Sequence, residues 1–290
     1  MSVEAVANAD QERFWNEVAG PLWVATEAEL ESSTGPFGEA ALAAAAPAAG
    51  EQVLDVGCGC GSTTLSLAAA VGAAGAVVGV DLSGPMLARA EQRRAAADPA
   101  ASVRFQRADA QSADLGDSRY DLVFSRFGVM FFADPVAGFA NLCRALRRGG
   151  RLTFVCWQAP SANPWMAVVN REASRLFGLQ APPHDAPGPF ALADRSRVDG
   201  ILQAAGLVDV HIADRRHRLQ LGTGISVEHW VHQRLLMGPA RQPYLDAGEA
   251  RQSQVRAALV GELAAYQTDA GDSTSGLTMD AAAWIVTARR

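Results

Sequence analysis

From Gln52 to Trp157 the chain alternates short, almost wholly apolar runs with amphipathic stretches: QVLDVG then TTLSLAAAVG, AVVGVDL then SGPMLARAEQRRAAA, SVRFQRA, YDLVFSRF then DPVAGFANLCRALRRGG, and RLTFVCW. Apolar runs of this kind are strands covered on both faces. Strands separated by helices pair in parallel, because each crossover must run back along the sheet before the next strand starts. Ser83 can cap a helix beginning near Pro85, Asp134-Pro135 supplies an N-cap and an N1 proline, and Gly149 stands where a C′ glycine would end that helix.

Outside this stretch the rhythm differs. Residues 1–50 read as helices: FWNEVAGPLW carries Phe14, Trp15 and Trp23, and FGEAALAAAAPAAG is an alanine-rich helix closed by Pro47 and Gly50. Residues 158–206 are mixed, with a proline-rich break at 181–190 that holds His184 and a helix around Ser196–Ala205 closed by Gly206. LVDVHIADRRHRLQL alternates like a strand and AAAWIVTAR reads as another. Between them, residues 226–268 are helical in pattern and too long for a loop, so a cap over the functional edge of the sheet is expected. The chain therefore divides into an N-terminal helical segment (1–50), an α/β core (51–225 and 276–290) and a helical cap (226–275).

Composition narrows the function. With 290 residues, 49% of them hydrophobic, the chain fits one large domain or one domain carrying an insertion. No run approaches the ~20 apolar residues of a membrane span, and MSVEAVANADQERFW lacks the basic and apolar regions of a secretory signal, so a cytoplasmic protein is expected. A net charge of −6 argues against a nucleic-acid partner; the best basic cluster, Arg215-Arg216-His217-Arg218, reads as a solvated strand end. All 25 basic residues are arginine. Without a lysine there is no GxxxxGK[ST] phosphate loop, no Schiff-base lysine and no Tyr-Lys dehydrogenase pair.

The segment VLDVGCGCGSTT raises the question of thiol chemistry or backbone chemistry. Cys58 and Cys60 are small enough to fit between glycines in a crowded turn, and Cys143, Cys156 and the histidines lie at no ligand-like spacing, so no metal is expected. A glycine turn after a first parallel strand lets the backbone approach a ligand closely. A dinucleotide loop reads G-x-G-x-x-G, whereas here Ser62 takes the third glycine's place and the glycine comes one residue early, at 61. The acid at Asp55 would oppose a pyrophosphate but suits an ammonium or sulfonium charge.

Asp55-Val56-Gly57-Cys58-Gly59-Cys60-Gly61, then Asp81 ending the second strand, Asp109-Ala110 after the third, and Tyr120-Asp121-Leu122-Val123-Phe124-Ser125 as the fourth resemble, in order, the motifs of class I S-adenosylmethionine-dependent methyltransferases. The likeness covers about residues 50–157. It implies a Rossmann-like, doubly wound, mostly parallel seven-stranded sheet with an antiparallel last strand, with S-adenosyl-L-methionine as cofactor and S-adenosyl-L-homocysteine as product. It also implies roles: the Gly57, Cys58, Gly59 and Gly61 backbone against the methionine part and ribose, with Asp55 helping to orient the cofactor's amino group. Asp81 would accept the ribose hydroxyls with Leu82 and Met86 beside the adenine, Asp109 the exocyclic amine with the Ala110 N–H on a ring nitrogen, and the Ser125 carbonyl would lie near the ammonium. Taken alone, Asp81 reads equally as a helix cap and Asp109 as a turn residue; Asp121, at a strand start, reads as structural.

The acceptor side is less defined. SRFGVMFFADP, after the fourth strand, is apolar apart from Arg126 and Asp134, and resembles a subgroup of menaquinone/ubiquinone-type and natural-product methyltransferases whose acceptors are often apolar or aromatic. Trp23 and Phe127 are candidate acceptor contacts, with Trp157 and Trp165 open between pocket and core and Phe131 expected in the core. His229 and His232 in the cap are candidate bases, with His184 a weaker one; as a pair three residues apart they also fit a cap helix's solvent face. The expected activity is methylation of a small acceptor, at oxygen or carbon, in a chain for which a homodimer stays open. The alternatives are a non-methylating S-adenosylmethionine-binding enzyme that cyclises or rearranges its substrate, and an NAD(P) oxidoreductase, which Ser62, Asp55 and the missing lysine disfavour.

Overall fold

The computed structural model describes residues 8–183, 185–267 and 276–290; His184 and the end of the cap segment, 268–275, lie outside the described residues. Three helices lead: α1 (Ala9–Glu17), α2 (Ala19–Ala25) and α3 (Glu27–Ala45). They are followed by β1 (Gln52–Val56), α4 (Ser62–Val71), β2 (Ala76–Asp81), α5 (Gly84–Ala97), β3 (Ser102–Arg107), β4 (Tyr120–Arg126) and α6 (Pro135–Ala145). Next come β5 (Leu146–Trp157), α7 (Pro164–Phe177), α8 (Arg195–Ala204), β6 (Val208–Leu221), α9 (Val227–Met237), α10 (Arg241–Asp246), α11 (Glu249–Glu262) and β7 (Leu277–Arg289).

The strands form one seven-stranded sheet in the order β3-β2-β1-β4-β5-β7-β6. The pairings among β1 to β5 are parallel, and β7 runs antiparallel to both neighbours. Strand order reverses between β1 and β4, the place where an open α/β sheet leaves a crevice at the carboxyl ends of its strands. Among the described residues no helix is long and apolar enough to cross a membrane.

The caps act as the sequence suggests. Ser83 accepts the Met86 N–H at the head of α5, and Asp134 accepts that of Ala137 at the head of α6, each followed by a proline in the first turn. Gly149 does not end α6. That helix stops at Ala145, and Gly149 (φ +76°) lies in β5 where its register against β4 shifts, its N–H donating to the Arg290 carbonyl. A left-handed conformation serves a bulge as well as a helix stop, and sequence alone does not separate the two uses. Arg215-Arg216-His217-Arg218 likewise falls inside β6, on the exposed edge of the sheet, and not at a strand end. Asp121 is structural: its carboxylate accepts the Gln52 N–H, tying β4 to the start of β1, and pairs with Arg147.

The leading helices take part in the core. α3 runs on through Pro36 and buries Phe37, Ala41 and Ala45 at four-residue spacing, the two alanines letting its second half lie close on the sheet. Its C-terminus is pinned by Arg151, which donates to the Ala45 and Ala46 carbonyls at 2.6 and 2.9 Å while holding Glu51 at 2.7 Å.

Candidate functional site

The ends of β1, β2 and β4 open onto one cavity of about 280 Å³. Its floor is the turn after β1. Gly57 and Gly59 have positive φ (66° and 56°); a Cβ on Gly57 would stand 2.6 Å from the Gly128 Cα, and one on Gly59 2.9 Å from the Met86 Cε. Two loops therefore touch backbone to backbone, which only glycine allows. Cys58 and Cys60 fill the remaining space, buried and free; burial pushes the Cys60 thiol up to about 12 and raises that of Cys58 as well. Both stay protonated, which suits packing and not thiolate chemistry.

Asp81 is the charged centre of this floor. Its carboxylate accepts the Gly59 N–H and the Ser83 N–H, each at 2.8 Å, and faces the cavity. Burial raises its pKa, and the backbone N–H groups pull the other way. Asp109 lies beside it on the wall with Leu82, Met86 and Ala110, and accepts from the Gln111 N–H and the Asn8 side chain.

Three expected contacts are off the wall. Asp55 is wholly buried beneath the loop, where it accepts the Thr64 hydroxyl at 2.7 Å, and its other oxygen has no hydrogen-bond partner. Burial pushes its carboxyl up to about 7. Its place is to hold the first turn of α4 against β1. Gly61 is the left-handed N-cap of α4, packed towards Ala90 and Phe105. Ser125 is buried inside β4, its hydroxyl accepting the Gly128 N–H, and Phe127 and Gly128 take the wall positions.

Phe127 has φ +62°, which costs an L-residue ~1–2 kcal/mol. Stacking on Trp157, centroids 4.0 Å apart and planes 15° off parallel, offsets that cost and presents the pair to the cavity. Trp165 meets Trp157 edge-on at 5.3 Å, and Met166, Val169 and Met237 continue this wall. Trp23 lies on the cavity too, and so does Phe131, which is half-buried against Trp15 and not in the core.

The histidines are elsewhere. His229 is exposed, and the His232 Nδ1 is 2.8 Å from the Tyr244 hydroxyl; neither lines the cavity, and both border a separate surface recess with Glu228 and Arg256. Helical geometry explains it: the stretch of α9 that reaches the cavity carries Arg234 and Met237, while residues 229 and 232 face α10 and solvent. His184 is outside the described residues.

Residues that the sequence left unassigned build another part of the wall. Arg126 clasps Glu31 through two bonds of 2.7 and 2.9 Å and donates to the Ser62 hydroxyl at 2.9 Å. Burial pushes the Glu31 carboxyl up, but Arg126 and Ser62 outweigh it and hold the pKa below the ordinary value. Glu31 and Arg126 are 95 positions apart, so only their opposite charge could have paired them. The leading helices close the other end: the Asn16 side chain bridges the Leu82 carbonyl and the Gly84 N–H, both at 3.0 Å, and Ser83 donates to the Trp15 carbonyl.

A carboxylate beside a glycine floor, the apolar Leu82 and Met86 on the same wall and an acid–arginine pair form a set of groups that fits an adenosyl amino acid. Residues 53–150 match the model of a methyltransferase domain family. An uncharacterised protein of Mycobacterium tuberculosis is 30% identical over 241 residues, 80% of this chain and 85% of its own. A demethylmenaquinone methyltransferase of Clavibacter sepedonicus is 36% identical over 196 residues, 64% of this chain and 75% of that one. The crystal structure of YcgJ from Bacillus subtilis shares the fold, with a TM-score of 0.57 at 19% identity over 87% of this chain and 97% of that one. The chain belongs to the class I S-adenosylmethionine-dependent methyltransferases, and S-adenosylmethionine is its cofactor.

Proposed function

We propose that the enzyme methylates a small apolar or aromatic acceptor, at oxygen or carbon, in the half of the cavity walled by Phe127, Trp157, Trp165, Met166 and Val169. The observation that carries this reading is the continuity of one cavity from the Asp81–Asp109 wall to that aromatic wall. Asp81 would hold the ribose hydroxyls, Asp109 and Ala110 the adenine edge, and Glu31 and Arg126 the ammonium and carboxylate of the methionine part. Bound S-adenosylmethionine supplies an electrophilic methyl group on a positively charged sulfur.

The residues around it align and enclose. Helices α1 and α2 lie over the Asp81 end, while α7 and α9 contribute Trp165, Met166 and Met237 to the other. Among the described residues no histidine, tyrosine or lysine lines the cavity, and Glu31 is held as a weak base by its arginine. Such a site favours an acceptor that arrives with its lone pair free, because proximity and exclusion of water then supply most of the rate.

Calorimetry with S-adenosylhomocysteine tests the cofactor half, and incubation with deuteromethyl cofactor and candidate aromatic acceptors tests the chemistry by mass. Product without the label would replace methylation by a cyclisation or rearrangement on the same fold. NAD stabilising the protein where S-adenosylhomocysteine does not would end the reading altogether.

A further inference from the structure

Two arginines line the cavity among the described residues. Arg126 spends three of its N–H groups on Glu31 and Ser62. Arg234 is not. It projects from the last turn of α9, its side chain only 10% exposed, and neither its Nε nor its Nη2 has a hydrogen-bond partner. The nearest anion, the Glu29 Oε1, stands 3.4 Å from Nη2, an ion pair without hydrogen-bond geometry. Its Cζ lies 5.6 Å from the Trp230 ring centroid, which steadies the guanidinium plane. The cavity's other charges are more closely engaged: Glu27 by ion pairs at 3.0 Å with Arg89 and Arg93, although its Oε1 makes no hydrogen bond, Asp81 by two backbone N–H groups, Asp109 by Asn8 and the Gln111 N–H.

The Arg234 Nε and Nη2 are closed off on the Glu29 side, so this fork meets a planar pair of oxygens when the side chain turns from Glu29 towards the cavity it lines; burial makes each unmade bond costly and a carboxylate matches the fork edge to edge. Residues lining the same cavity from α7, Trp165, Met166, Val169 and Asn170, make that side of the cavity apolar apart from one amide.

Building on the function proposed above, we infer that Arg234 recognises a carboxylate on the acceptor, so that the substrate class is an aromatic or polycyclic acid whose ring lies along Trp157 and Trp165. An acid is ionised at neutral pH and needs no base to expose a lone pair, in keeping with a cavity wall that carries no histidine, tyrosine or lysine among the described residues. The cofactor's own α-carboxylate is the other source of the same chemistry. Arg126, next to the glycine loop through Ser62, is better placed for it.

The test titrates benzoate, 2-naphthoate and anthraquinone-2-carboxylate, each against its primary amide, into the full chain with and without saturating S-adenosylhomocysteine, following tryptophan fluorescence. Wild type should bind at least one acid about tenfold or more tightly than its amide. Arg234→Gln should bring that ratio close to one, Arg234→Lys should keep part of it, and S-adenosylhomocysteine affinity should stay within about twofold in both. Arg234→Gln combined with Glu29→Gln removes the stranded carboxylate and guards against misfolding. Absence of an acid preference in wild type, or its survival in Arg234→Gln, overturns the inference. So does a variant that weakens S-adenosylhomocysteine but not methylthioadenosine, which lacks the amino-acid tail, because Arg234 would then serve the cofactor. Failure of wild type to bind S-adenosylhomocysteine at all would sink the cofactor site instead, and the acid-to-amide ratio without cofactor would still judge Arg234.

Discussion

Replacing Asp81 by asparagine tests whether a side chain that supports the loop and lines the cavity is also a ligand contact. Each carboxylate oxygen accepts one backbone N–H at 2.8 Å, from Gly59 and from Ser83, which leaves a lone pair on each for a ribose hydroxyl. Hydrogen bonds to a charged acceptor contribute ~1.5–3 kcal/mol each, so losing both to ribose corresponds to about 10²–10⁴-fold in affinity. Asparagine keeps one neutral oxygen, placing the expected loss of S-adenosylhomocysteine affinity near the lower end, about 10²-fold. Its amide must also face one of the two N–H groups, so a melting temperature lower by a few degrees is expected, and the variant's fold has to be checked by circular dichroism. Affinity alone would not distinguish the two effects. The 2′-deoxy analogue of S-adenosylhomocysteine does: wild type should prefer the ribose form by about 10-fold or more, and Asp81→Asn should prefer it by less than about threefold. If the variant keeps the wild-type preference, Asp81 holds the loop and does not touch the ribose.

The buried Asp55 predicts a pH effect of definite sign. In the unfolded chain its carboxyl loses its proton near 3.8, whereas in the folded protein it keeps it up to about 7. Stability therefore falls as pH rises between those values and is level above them, by at most about 4 kcal/mol for a gap of three units. Asp55→Asn, with its bond to Thr64 retained, should lack that slope; equal urea midpoints for variant and wild type at about pH 5 and about pH 8 would refute it. Cys58→Ala with Cys60→Ala should cost about 1 kcal/mol per site as lost packing, with cofactor affinity preserved and no metal released; a stoichiometric metal in wild type, found by elemental analysis, would contradict this. His232→Ala should lose about 1 kcal/mol of stability with its bond to Tyr244, and His229→Ala almost none, while both leave turnover and its pH profile unchanged. A limb near pH ~6.5 that disappears in either variant would restore a histidine base.

The strand runs, the glycine turn and the acids at 81 and 109 were legible because they are local: a parallel strand buried on both faces must be apolar along its length, and a loop that touches another backbone must be glycine. The caps Ser83 and Asp134 were legible for the same reason, each acting within three residues. What a side chain faces is not local. Asp55 heads the motif, yet strand alternation turns it beneath the loop towards Thr64. His229 and His232 share a helix with Arg234, and the rotation of α9 about its axis, set by the packing of Trp230, Val231 and Leu235, sends only the arginine to the cavity. The Glu31–Arg126 clasp and the closure of α1 and α2 over Leu82 and Ser83 join residues 95 and 68 positions apart. Such contacts depend on where whole elements are carried by the sheet order and by the burial of α3 across it. Sequence therefore determined the scaffold and the glycine floor of the cavity, and tertiary packing decided which charges line it.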